Sequence, residues 1–280
     1  MMIPYPSPRR TSSGDPGTLL FRKRVLAFGD FDHIKFTEST LTSKADIVAL
    51  INGIEVGLDP RQIELRFISI GAGGAGASGA SAYGGLAAIP FERSLFLADV
   101  DDGDIIIDVG AGGLGTAGDI GNTGSASAVT FANGSMIYSQ GGFGGTSDAE
   151  NQRAFYTLSV GYGAQHADPT LNLDGPSSPY GPGCGGSRTP AYTGAGGFSN
   201  NVDVDTAGYP GFGFGEAGSN APEFIAGRYG AGGASNADGG PGGAGGIPGG
   251  AGGAGDAAAA GGEGGRGEVQ IQVIVWEIIR

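Results

Sequence analysis

Residues 240–279, GPGGAGGIPGGAGGAGDAAAAGGEGGRGEVQIQVIVWEII, hold two periodicities side by side. Glycine recurs every third residue at Gly240, Gly243, Gly246, Gly249, Gly252 and Gly255, and after Ala258 again at Gly261, Gly264 and Gly267. From Glu268 the period becomes two: Val269, Ile271, Val273 and Val275 share one side, and Gln270, Gln272, Ile274 and Trp276 the other. Period two is that of a β-strand. Period three fits neither a strand nor the 3.6 of an α-helix; it belongs to polyproline II, which rises about 3.1 Å per residue and returns to the same face at every third position.

The same three-residue period appears at Gly112, Gly115, Gly118, Gly121 and Gly124, and earlier at Gly73, Gly76, Gly79, Ala82 and Gly85. A polyproline II helix has no internal hydrogen bonds, so burying one requires neighbours that satisfy its N–H and C=O groups. Collagen does this with an unbroken repeat rich in proline, but here 15 prolines in 280 residues and interrupted runs exclude it. The remaining solution is a stack of short glycine helices folded back on one chain. Close backbone approach and weak Cα–H···O contacts would offset the entropy lost in fixing glycine. Alternating apolar segments at 63–70, 92–98, 104–109 and 269–279 are the expected anchoring strands, with DVDDGD read as a hairpin turn between the second and third. The expected fold is mainly β with packed polyproline II glycine-rich helices.

Composition divides the chain near residue 70: 55 of the 60 glycines follow it, so the long part is about one quarter glycine against a usual level of roughly 7%. We expect an N-terminal attachment segment over 1–61, with an arm, short strands and one short α-helix, and a glycine-rich domain over 62–280. The helix is read in TSKADIVALING, capped by Thr42 or Ser43, with Ile47, Leu50 and Ile51 on one face and Gly53 in a left-handed position after its end. Net charge is −13 and all three lysines, Lys23, Lys35 and Lys44, precede residue 70, which argues against nucleic acid and anionic lipid as partners. The opening residues lack the apolar run of a secretory signal and no window matches a membrane span, so a soluble protein is expected.

Chemistry-bearing motifs are sparse. Gly71, Gly73 and Gly76 match G-x-G-x-x-G after a strand, as do Gly110, Gly112 and Gly115, but the residues that follow carry too much glycine to open the helix a dinucleotide site needs. His33 and His166 stand alone, the single Cys184 reads as a bystander, and Asp99, Asp101, Asp102 and Asp104 read as a solvated turn, without the glutamate of a calcium loop. Asp203 and Asp205 read as solubilising. No cofactor, metal or catalytic residue is expected.

Residues from about 146 to 236 depart from the glycine rule. Tyr180, Tyr192, Phe198, Asn200, Asn201, Tyr209, Phe212, Phe214 and Tyr229 give two readings: a recognition surface of rigid rings that suits glycans or proteins, or plugs between glycine layers.

The order GAGGAG, PFERSLFLADVDDGDIIIDVGAGGLGTAGDIGNTGSASAV, GGFGG, GGAGGIPGGAGGAG and GGEGGRGEVQIQVIVWEI resembles the glycine-rich domain of bacteriophage minor tail proteins of actinobacterial phages. The likeness covers about residues 62–280, and it extends to phage adhesins whose glycine helices pack in a lattice. It implies a structural virion protein at the tail tip or fibre that contributes to host contact. Its partners would be other tail proteins and a host-surface glycan or protein, and a homotrimer is the expectation by analogy. The alternative is a bacterial cell-wall protein with glycine-rich repeats, and the remotest reading is an NAD-dependent enzyme.

Overall fold

A computed structural model describes residues 20–118, 120–146, 181–189, 192–196, 199 and 214–279. Among these the chain is mainly β, with a single short α-helix. The strands are β1 (Leu20–Val25), β2 (Ile34–Phe36), β3 (Thr40–Ser43), β4 (Ile63–Ile70), β5 (Phe91–Phe96), β6 (Asp104–Asp108), β7 (Ser127–Thr130), β8 (Met136–Ser139), β9 (Arg188–Thr189), β10 (Tyr192–Thr193) and β11 (Glu268–Ile279). The antiparallel order β1-β11-β4-β5, with β2 beside β11, makes one sheet, and β3-β6-β7-β8 makes a second.

The expected alternation of β11 decides its place. Val269, Ile271, Val273 and Val275 lie fully buried with Leu65 and Phe67 of β4, facing Ile105, Ile107, Val129 and Ile137 of the second sheet. Phe67 meets Phe131 edge-on at 5.2 Å between ring centroids, a favoured aromatic geometry. On the opposite face of β11, Gln270 and Gln272 are also buried. Gln270 accepts from Gly227 N–H at 2.7 Å, and Gln272 donates to Asp32 at 2.9 Å. Asp32 in turn accepts from Ala226 N–H at 2.7 Å. Buried polar groups of this sheet are thus paired with a loop folded over them.

Helix α1 (Lys44–Asn52) has Ser43 as its N-cap, accepting from Asp46 N–H at 3.2 Å, and buries Ile47 and Ile51 in the shared core. Two details differ from expectation. Leu50 is exposed, since it sits one residue off the buried stripe. Gly53 keeps a right-handed φ of −66°, because its N–H continues the helical pattern to Ala49 O rather than closing a left-handed cap.

The DVDDGD turn is not a hairpin turn either. β5 pairs with β4, whereas β6 pairs with β3 and β7 in the other sheet. The turn carries the chain across the sandwich, with Gly103 at φ +138°. Lys44 holds it by donating to Val100 O at 2.7 Å and pairing with Asp102 at 3.2 Å.

The composition boundary is not a packing boundary. Residues expected as a separate attachment segment supply β1 and β2 to one sheet, β3 to the other, and Leu26, Ile47 and Ile51 to the common core. The strands also define where the glycine runs start: β4, β6 and β8 lead into them at Gly71, Gly110 and Gly141, while β5, β7 and β11 emerge from them. Register places these ends together, with Ile70 opposite Glu268 and Ser127 opposite Ser139.

Candidate functional site

Beyond that end of the sandwich, extended runs without helical or sheet pairing lie side by side. Their hydrogen bonds repeat every third residue. In the run 71–79, Ala72 and Ala75 N–H donate to Ser125 and Asn122, Gly73 and Gly76 to Gly265 and Gly262, and Gly74 and Ala77 to Leu86 and Tyr83, all at 2.8–3.0 Å. Its carbonyls are approached from other runs: Gly142 and Gly145 donate to Ala72 and Ala75, Gly113 to Gly73, and Gly252 and Gly255 to Gly74 and Ala77.

A second run, 249–256, is surrounded in the same way. Ala251 and Ala254 donate to Gly183 and Gly186, and Gly253 donates to Gly243. Gly233 and Asn236 donate to Ala251 and Ala254, while Gly262 and Gly265 donate to Gly253 and Gly250. Buried backbone that belongs to no sheet is therefore paired run to run.

Spacing between these runs is set by backbone contact. A Cβ at Gly112 or Gly115 would fall on the carbonyl oxygen of Gly264 or Gly261; at Gly121 and Gly124 on those of Ala75 and Ala72; at Gly243 and Gly246 on those of Glu216 and Ser219; and at Gly252 and Gly255 on those of Gly262 and Ala260. Three of the sequence-selected glycines differ. Gly118 faces open space at a bend with φ +153°, Gly240 meets the Asn236 side chain, and Gly249, at φ +80°, has Pro182 Cγ 2.9 Å from the Cβ position.

Of the aromatic candidates, Tyr180, Phe198, Asn200, Asn201, Tyr209 and Phe212 lie outside the described residues, as do His166, Asp203 and Asp205. Tyr192 is in β10. Phe214 is 60% exposed at the margin of the array. Tyr229 is buried on Ile68 and Ile70 in the seam between sheet and runs, and burial pushes its hydroxyl up to about 12.

The two G-x-G-x-x-G segments do not open helices, and the N–H groups of Gly73 and Gly76 are already bonded to Gly265 and Gly262. Cys184 is buried against Leu86 and Ala87, which pushes its thiol up to about 11. Among the described residues no His, Cys, Asp or Glu cluster would hold a metal, and no helix is long and apolar enough to cross a membrane.

One ion pair, with a buried arginine, was not anticipated. Arg188, 3% exposed, places Nη1 2.7 Å from Asp256 Oδ1. Asp256 also accepts from Gly239 N–H at 2.8 Å and Ala257 N–H at 2.5 Å, and the Arg188 guanidinium holds its carboxyl down at about 2. This pins the 236–240 and 256–260 turns together. Sequence reasoning also missed the array's rim, where Leu114 and Ile120 are more than half exposed. Next to Leu114 an open groove of about 400 Å³ is lined by Thr37, residues 109–114, Glu263, Gly264 and Arg266. No protein-family model and no curated protein matches this chain.

Proposed function

We propose that the chain is a non-enzymatic structural component of a virion, a phage minor tail protein of the tail tip or fibre, in which glycine runs pack as polyproline II helices on a β-sandwich. The carrying observation is the run-to-run hydrogen bonding at period three, with carbonyls resting where any Cβ would be. That arrangement supports a load-bearing role, since runs 71–79 and 249–256 are each hydrogen-bonded along their length to several neighbouring runs. The period supports the polyproline II reading, because a helix of three residues per turn sends successive N–H groups to three different neighbours and then returns to the first.

In this reading the aromatic-rich stretch contributes to contact with a host glycan or protein, the partners are other tail proteins, and the assembly is a homotrimer without cofactor. Immunogold labelling of a lysate containing particles and cell debris tests it. Gold at the distal end of tails is the expected result. Gold on cell walls with bare particles would overturn the tail assignment in favour of a glycine-rich wall protein.

A further inference from the structure

The two sheets differ in what lies on their outer faces. On the first, Gly227 of a covering loop bonds to Gln270; the second, β3-β6-β7-β8, turns large apolar side chains outward. Ile105 and Ile107 of β6 lie in the core, so the pleat sends Ile106 to the other side. Register sets Ile106 between Leu41 of β3 and Thr130 of β7, and Thr130 beside Met136 of β8, so one row crosses all four strands. Tyr138, opposite Ala128, flanks it. Leu41, Ile106, Met136 and Tyr138 are each between 46% and 60% exposed. An antiparallel sheet that faces water normally alternates apolar-in with polar-out, and a contiguous exposed apolar row marks a contact surface.

We propose that this face docks a partner protein whose apolar surface is rimmed by lysine or arginine. Charge decides the occupant's chemistry. Strands β3, β6, β7 and β8 contain no lysine or arginine, and their only carboxylates, Asp104 and Asp108, are exposed on this same face, on either side of Ile106 along β6. Lys44, the residue after β3, is occupied by Asp102 and the Val100 carbonyl. Among the described residues neither Asp104 nor Asp108 makes an ion pair. Basic side chains around a docked apolar patch would pair with them, and opposite charges at a rim select the partner and speed encounter. A second copy is the poorer occupant, because a two-fold contact brings like surfaces together and would set Asp104 and Asp108 of both copies at one interface, in a chain whose net charge is already −13. The surface is separate from the aromatic-rich stretch, and docking there requires neither the glycine runs nor the tail assignment.

The test uses the full chain and two fluorescent amphipathic helical peptides that share one leucine face, flanked by lysine in the first and by glutamate in the second. Anisotropy is read at about 0.15 M salt, where exposed charges more than about 8 Å apart are largely screened. The lysine peptide is expected to bind about tenfold more tightly than the glutamate peptide. Ile106→Thr and Met136→Thr keep side chains that suit an exposed strand, so circular dichroism is expected to be unchanged, and each is expected to weaken binding about tenfold. Asp104→Asn combined with Asp108→Asn is expected to weaken it about fivefold, and Leu114→Ala, an exposed apolar site away from these strands, to leave it unchanged. No binding, or equal binding of the two peptides, would overturn the proposal. Undiminished binding to Ile106→Thr and Met136→Thr would overturn it too, because net charge alone would then hold the peptide. Sedimentation velocity decides the remaining case: dimerisation of the wild-type chain that Ile106→Thr abolishes would give the face to a second copy and overturn the proposal.

Discussion

Asp256 is a residue whose ionisation bears on stability. Its carboxyl is lowered from an ordinary 3.8 to about 2, chiefly by the hydrogen bond from Arg188. A depressed carboxylate stabilises the fold fully above its unfolded pKa and loses that contribution as pH falls through the folded value. The window is therefore about pH 4 down to about 2. Thermal unfolding across that range is expected to show a falling midpoint that is shallower in Asp256→Asn, whose midpoint at pH 7 is already lower because Arg188 is left buried without its counter-charge. Cys184 supplies a second residue-scale expectation. With its thiol at about 11 and buried, iodoacetamide at pH 8 is expected to modify it only as fast as the protein opens, and mass spectrometry with and without denaturant measures this. Neither property was legible in the sequence: Arg188 and Asp256 are 68 positions apart in the chain, and Cys184 carries no motif.

Among the elements, the glycine runs respond most sharply to added volume. Gly246→Val puts a side chain on the Ser219 carbonyl, with Ala231 N 3.1 Å from the Cβ position, so the backbone itself would have to move. Overpacking of this kind costs about 3 kcal/mol or more. Leu114→Ala, on the rim, is expected to cost about 0.5 kcal/mol or less. Denaturant unfolding of the two variants compares them, and similar midpoints would contradict backbone-limited spacing.

Strands β4 and β11 and helix α1 were readable because each carries its own period and, for α1, its own cap. The β5–β6 hairpin was misread for a physical reason. Turn residues specify a reversal of the chain, and they do not specify whether the next strand joins the same sheet or crosses to the facing one.

At the scale of the whole molecule, the sandwich and the runs are continuous, since strands that pair at one end of the sheets extend into chains that pair beyond it. Residues 20–61 belong to that unit, although they have an ordinary composition. A fragment spanning 62–280 lacks the β1 and β2 partners of β11, the β3 partner of β6, and the Ile47 and Ile51 contribution to the core. It is expected to lose cooperative unfolding by circular dichroism, whereas an independently folding glycine-rich domain would retain it.

The sequence by itself determined the two periods, hence β-strands joined to runs spaced for close backbone contact, because periodicity is a local property that side-chain size enforces residue by residue. Only the tertiary structure decided which run lies beside which, that Tyr229 turns inward, and that the N-terminal residues complete the sheets. Those outcomes depend on hydrogen bonds and contacts between residues far apart in the chain, and nearly identical glycine runs carry no label that says which neighbour each will find.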